Sequence, residues 1–184
     1  MSNALPLNPA TLQAMADFPR QLEQFYDAIP ESHKNWAPPS WEGIPSETFT
    51  AIGQICHVRD IEIDGYHVRI RRTLQESNPV LESLDGYVLE KERNYAAADV
   101  RKAFAEFRQA RINTMDMLSG LTPQQLARTA EFEGYGALTL RSLVHYLCSH
   151  DQQHLAGLQW LLGKIDASLA GYPAAASAAA NPAP

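Results

Sequence analysis

The stretch Leu143-Val144-His145-Tyr146-Leu147-Cys148-Ser149-His150-Asp151-Gln152-Gln153-His154-Leu155-Ala156-Gly157-Leu158-Gln159-Trp160-Leu161 is amphipathic at helical period. Leu143, Leu147, His150, His154, Leu158 and Leu161 follow one another at intervals of three or four residues, so they share one face. A face of this kind packs into the interior of a helical bundle. Here two imidazoles interrupt its leucine stripe. Burying ring nitrogens without partners costs on the order of a few kcal/mol. A pair at i and i+4 can instead offer both nitrogens to one divalent metal. The plainer alternative is two core or rim histidines satisfied by backbone or carboxylates.

Working outward, Thr139 reads as the N-cap of this helix and Gly163 as its stop. Upstream, Asn8-Pro9 begins a first helix with Met15, Phe18, Leu22, Phe25 and Ile29 on one face, which Pro30 ends. Pro19 is expected to kink that helix or delay its start. Prolines and the indoles of Trp36 and Trp41 mark a loop over residues 31–45. Ser46 is read as the cap of a second helix reaching about Arg72, with Phe49, Ile52, Cys56, Ile63 and Ile70 inward. Val80 to Asn94 reads equally as a short helix or an ordered loop. Asp99 caps a third helix carrying Val100, Phe104 and Phe107 to about Leu118, and Thr122-Pro123-Gln124-Gln125 opens a short helical turn. No segment alternates with period two and no hairpin dipeptide joins two β-branched runs, so no sheet is expected. The expected fold is all-α, a four-helix bundle with long loops. One domain spans residues 1–170, and residues 171–184 form a low-complexity Ala/Pro tail.

Composition narrows the partners. At 184 residues, 45% hydrophobic and 20% charged, the chain has the balance of a folded soluble domain. Its net charge of −6 and scattered basic residues argue against nucleic acid, whose binding needs clustered cations. The N-terminus lacks the pattern of a secretory signal and no run reads as a bilayer span, so no membrane partner is expected and the expected location is the cytoplasm. Two cysteines, Cys56 and Cys148, make no disulfide framework and read as small hydrophobes within helices.

A metal held by His150 and His154 needs a third ligand, and His33, His57, His67 and His145 are all candidates. Periodicity places His57 at the flank of the Ile52/Cys56/Ile63 stripe. Asp60 lies at i+3 from it, where a carboxylate can orient an imidazole or accept a proton, or simply pair with Arg59 or Arg111. Asp151, a third of a turn from His150, reads as a surface acid.

Several strings carry a resemblance. Trp41, Ser46-Glu47-Thr48-Phe49, Gln54-Ile55-Cys56-His57-Val58-Arg59-Asp60-Ile61-Glu62 and His150-Asp151-Gln152-Gln153-His154-Leu155 resemble the DinB-like (DinB/YfiT) superfamily. The Asp85-Gly86 to Tyr95 region and Phe104-Ala105-Glu106-Phe107-Arg108 with Arg111 are similar as well. The resemblance spans roughly residues 8–165, with its motifs in family order across four helices. It implies a four-helix bundle binding one divalent ion, zinc or nickel first and iron or manganese next, through His57, His150 and His154. Glu62 and Arg111 fall at positions read as a structural ion pair.

Three protein ligands leave a coordination position open, as in catalytic zinc sites. The function expected on these grounds is a metal-dependent enzyme, a hydrolase or a thiol-dependent transferase. Its partner is a small-molecule substrate, with a low-molecular-weight thiol among the options, and its assembly is a homodimer. Specificity is assigned to the loops at residues 31–45, 73–95 and 129–138. The alternative is a non-catalytic metal-binding or stress-response bundle, or a structural dimerisation module whose histidines bind nothing.

Overall fold

The computed structural model describes residues 6–171, so the Ala/Pro segment read as a tail falls outside the described residues apart from Gly171. Four long helical units make a bundle: α1 (Pro9–Ala28), the composite α2 (Ala51–Asp60), π-helical stretch (Ile61–Tyr66) and α3 (His67–Gln75), then α5 (Val100–Leu118) and α7 (Leu140–Leu169). Shorter pieces join them: β1 (Val80–Leu81), α4 (Gly86–Arg93), α6 (Pro123–Leu126), β2 (Thr129–Phe132) and β3 (Gly136–Thr139).

The caps explain most of the boundaries. Asn8 accepts from Ala10 N, Asp99 from Lys102 N and Thr139 from Ser142 N, each satisfying a donor the helix leaves free. Thr122 and Gln125 form a reciprocal capping box at α6. Pro19 lies buried inside α1, which runs from Pro9 without a delayed start. The second helix begins later than expected: Thr50, not Ser46, accepts from Gly53 N and is its cap. Gly163 does not stop α7. The helix continues to Leu169 because Ile165 still has core to bury.

The expectation of no sheet is corrected by a small three-stranded one. β2 pairs antiparallel with β3 through Thr129↔Thr139 to Phe132↔Gly136, and β1 pairs parallel with β2. Only Ala130 and Phe132 of β2 point inward, one alternation cycle too short to register as a strand pattern. This hairpin occupies the segment read as the 129–138 loop.

The apolar core falls into two clusters. One centres on Phe18, Phe104, Phe107, Ile55 and Leu158; the other on Met15, Ile70, Leu81, Leu140 and Leu147. Arg111 sits where they meet. Its guanidinium donates to Glu62 through Nε and Nη2 (2.9 and 2.9 Å), to Asp151 through Nη1 and Nη2 (2.7 and 2.9 Å), and to Met15 O (2.6 Å). Every N–H of the fork is thereby used, and one side chain ties α1, the π stretch, α5 and α7 together. The Glu62–Arg111 pair is as read from the sequence. Asp151 is not a surface acid: it is 1% exposed, because α7 is covered on this side as well. Burial raises its carboxyl to about 7 despite the pull of Arg111, and the Glu62 charge adds to the rise. Among the described residues no helix is long and apolar enough to cross a membrane.

Candidate metal centre

α2 and α7 face one another across the bundle, and the segment before α2 folds over their junction. His150 Nε2 lies 3.2 Å from His57 Nε2 and 3.1 Å from His154 Nε2. Glu47 closes the group, its Oε2 3.2 Å from His154 Nε2 and its Oε1 3.8 Å from His57 Nε2. Donor atoms of all four residues lie within 4.8 Å of one another. His57 and His154 are buried, His150 is half-buried, and the Glu47 side chain is 38% exposed. Periodicity put His57 at the flank of its helix; it is instead 2% exposed, because α2 is buried on nearly every side from Ala51 to Val58.

Hydrogen bonding fixes which atoms are available. Gln54 Nε2 donates to Ser46 Oγ (3.0 Å) and toward the carbonyls of Glu47 (3.3 Å) and Phe49 (3.4 Å). Those acceptors turn Gln54 Oε1 toward His154 Nδ1, so Nδ1 must carry the proton and donate. His154 Nε2 then presents a lone pair directly at a carboxylate oxygen. Two acceptors at 3.2 Å repel unless a proton or a cation lies between them. Burial pushes the His57 imidazole down to about 3, with His154 adding to the effect and Glu47 and Asp60 opposing it. The same cause drives His150 well below its ordinary value. Both rings are therefore neutral at pH 7, the form that binds metal. Burial pushes the Glu47 carboxyl up, but its bond to His154 and the charges of His154 and His57 outweigh this and hold it at about 2. With zinc–nitrogen bonds of about 2.0–2.1 Å, tetrahedral donors stand roughly 3.3 Å apart, close to the spacing here. The donor set fits a divalent ion.

A model of the DinB superfamily matches residues 14–158. The chain belongs to the DinB superfamily. Among solved structures it is similar to YfiT from Bacillus subtilis, described as a probable metal-dependent hydrolase with an unusual four-helix bundle topology. The two share 20% identity over 85% of this chain and 86% of that one, with a TM-score of 0.75. No curated protein matches the chain.

Close packing completes the centre of this DinB-superfamily protein. A Cβ at Gly157 on α7 would fall 2.2 Å from Ser46 Oγ, so only glycine lets the Glu47 segment approach. Tyr87 of α4 holds the same segment from outside, its OH accepting from Thr48 N at 3.1 Å. Gly86, at the start of α4, abuts the His57 ring: a Cβ there would lie 2.6 Å from Cε1 and 2.7 Å from Nδ1. Among the described residues, His57 Nδ1 is the buried side-chain nitrogen or oxygen left without a hydrogen bond. Phe49, 4.8 Å away between ring centroids, and Gly86 hold this imidazole by contact where most metal-binding histidines are held by a hydrogen bond.

Other sequence candidates lie elsewhere. Asp60 accepts from Arg59 Nε (2.7 Å), Arg93 Nη1 (3.0 Å) and Tyr95 OH (2.7 Å), and makes no hydrogen bond to His57. His67 Nε2 meets Ala110 O and Thr114 Oγ1, His145 meets Thr11, and His33 meets Ser32. Cys56 is fully buried, which pushes its thiol up to about 11 and leaves it a packing residue. Trp41 stacks on Trp160, and Tyr95 is buried against Asp60. Glu47 and Gln54 stand within the strings that carry the family resemblance, yet no spacing rule marks a carboxylate in an irregular segment as a ligand.

Proposed function

We propose that this protein is a metal-dependent enzyme using one divalent ion held by His57, His150 and His154. The observation that carries the reading is the lone pair of His154 Nε2, fixed by Gln54, facing Glu47 Oε2 at 3.2 Å. When bound, such an ion supplies a Lewis acid that polarises a substrate oxygen and acidifies a nucleophile. Gln54 keeps the His154 tautomer and anchors the segment that bears Glu47. Glu47, half-exposed and at the rim, accepts the nucleophile's proton as the bond to the substrate forms. Asp60 acts at a distance, fixing α2 against α4 through Arg93. The nucleophile is water in a hydrolase or a low-molecular-weight thiol in a transferase. Zinc or nickel suits the imidazole set best, with iron and manganese next. The assignment extends to a cytoplasmic homodimer acting on a small molecule.

Glu47 also favours a second reading. Four protein donors make a closed shell, the arrangement of structural zinc, and a non-catalytic metal-stabilised bundle follows from it. The test is elemental analysis of untagged protein, with His57→Ala, His150→Ala, His154→Ala and Glu47→Gln variants, followed by cobalt substitution. Near-stoichiometric metal lost in each histidine variant supports the centre. A cobalt spectrum that responds to added thiol supports an open, catalytic site. A spectrum indifferent to every added ligand supports the closed one, and a folded wild type that takes up no metal removes both.

A further inference from the structure

Arg69 is a buried cation without an anion. It is 5% exposed, and among the described residues no carboxylate lies within ion-pair distance of it. Its Nε and Nη2 both donate to Glu82 O (3.0 and 2.9 Å), whereas no acceptor among the described residues meets Nη1. Two aromatic faces supply the rest of its surroundings: its Cζ lies 5.1 Å from the Tyr66 ring and 4.6 Å from the Phe132 ring. Burying a charge this way is costly, and one carbonyl with two ring quadrupoles offsets it only in part. Burial lowers its pKa from the ordinary guanidinium value, with Tyr66 and Tyr135 opposing.

Its location matters as much as its charge. Tyr66 is packed 6.2 Å from His150 between ring centroids, so the guanidinium stands one ring away from the metal centre. Gly65 makes room for it, since a Cβ there would fall 2.7 Å from Nη1. A cavity of about 60 Å³ adjoins Arg69, lined also by Gly65, Val68, Leu81 and Leu84. That is space for about two waters or one carboxylate group. The other charged residues of the lining are engaged or exposed: Asp64 pairs with Arg93, Arg72 with Glu76, and Glu82 is exposed. Beside Phe132, Tyr135 (59% exposed) stacks on it at 4.6 Å and lies 5.1 Å from Tyr146 (37% exposed), an apolar wall without a partner.

We propose that Arg69 is the anchor for a substrate carboxylate, and that the metal centre acts on small carboxylic acids carrying an apolar or aromatic body. This rests on the metal reading above. The free Nη1 receives the carboxylate, Tyr135 and Tyr146 cover the apolar body, and the reacting group is left facing His150. A single guanidinium beside a cavity of this size suits a monoanionic carboxylate better than a phosphate dianion.

The test is calorimetric titration of benzoate and of its neutral analogue benzamide. Zinc-loaded and metal-free protein are compared as wild type, Arg69→Met and Arg69→Lys, with metal content measured on each sample. Wild type should bind benzoate at least tenfold more tightly than benzamide in both metal states. Arg69→Met should lose that preference with its metal content unchanged, and Arg69→Lys should keep part of it. Equal binding of the two probes by wild type overturns the proposal, even if Arg69→Met fails to fold. So does benzoate binding that needs zinc and survives in Arg69→Met, which places the carboxylate on the metal. Absence of metal from every sample sinks the metal reading alone, because the metal-free titration still reports on Arg69.

Discussion

Gly157 of α7 and Ser46, which precedes α2, are packed so closely that a single methyl group on the glycine would lie 2.2 Å from the serine hydroxyl. The contact matters because Ser46 is one of three groups that orient the Gln54 amide, and Gln54 in turn orients His154.

Gly157→Ala therefore separates two effects of opposite sign. Helix propensity alone gains up to about 1 kcal/mol from the change, whereas overpacking costs roughly 1–3 kcal/mol. The expected outcome is net destabilisation in urea together with at least tenfold weaker zinc binding. A stabilised variant with unchanged affinity would show that Ser46 moves aside freely.

Gly86→Ala probes the other side of the centre. The added methyl meets the His57 ring, which has no hydrogen bond at Nδ1 to restore its position. Metal affinity should fall about tenfold or more while the circular dichroism of the helices is retained. Competition with a chromogenic chelator measures it.

Removing the charge of Arg111 leaves Glu62 and Asp151 buried without a cation. Arg111→Met should cost about 3–5 kcal/mol, the range for breaking a buried pair. Chemical denaturation measures the loss, and a change under 1 kcal/mol would contradict the tie between the four helices.

Acid should destabilise the metal-free protein earlier than carboxylate titration alone explains. Folding depresses the His57 pKa from 6.5 to about 3, so the unfolded chain binds the extra proton. The resulting stability is fully present above pH 6.5 and is lost progressively as the pH falls toward 3. Glu47, held at about 2, adds a loss of the same sign below about pH 4.5. Urea midpoints recorded between pH 7.5 and 5 should decline, and His57→Ala should flatten that decline.

The helical framework is legible in the sequence because caps and apolar periodicity are local signals. Asn8, Asp99, Thr122 and Thr139 mark their helices before any tertiary contact exists. Where tertiary packing overrides local pattern, the reading fails. His57 and Asp151 occupy polar-looking helix faces that become interior only when other elements cover them. The hairpin of β2 and β3 is too short to show a period. Ser46 resembles a cap, but its hydroxyl is committed to Gln54 and the Glu47 carbonyl. Glu47 is brought to the histidines by a path that no spacing rule describes. The membership of His57 in the cluster followed from family resemblance, since periodicity alone left four histidines open.

The π-helical stretch Ile61–Tyr66 sits between the part of the second helix that carries His57 and the part that carries Arg69. A wide turn of this kind accommodates one residue more than the α register, and each residue in an α-helix turns the chain by about 100°. Shortening the stretch by one residue would leave the histidine side untouched and swing everything after it around the axis. Arg69 would leave its aromatic sandwich, and His67 would lose Thr114. The length of a single turn thus sets the phase between the chemistry on one half of the helix and the recognition surface on the other. Insertions and deletions here would act as a dial on what the site accepts rather than on whether it forms.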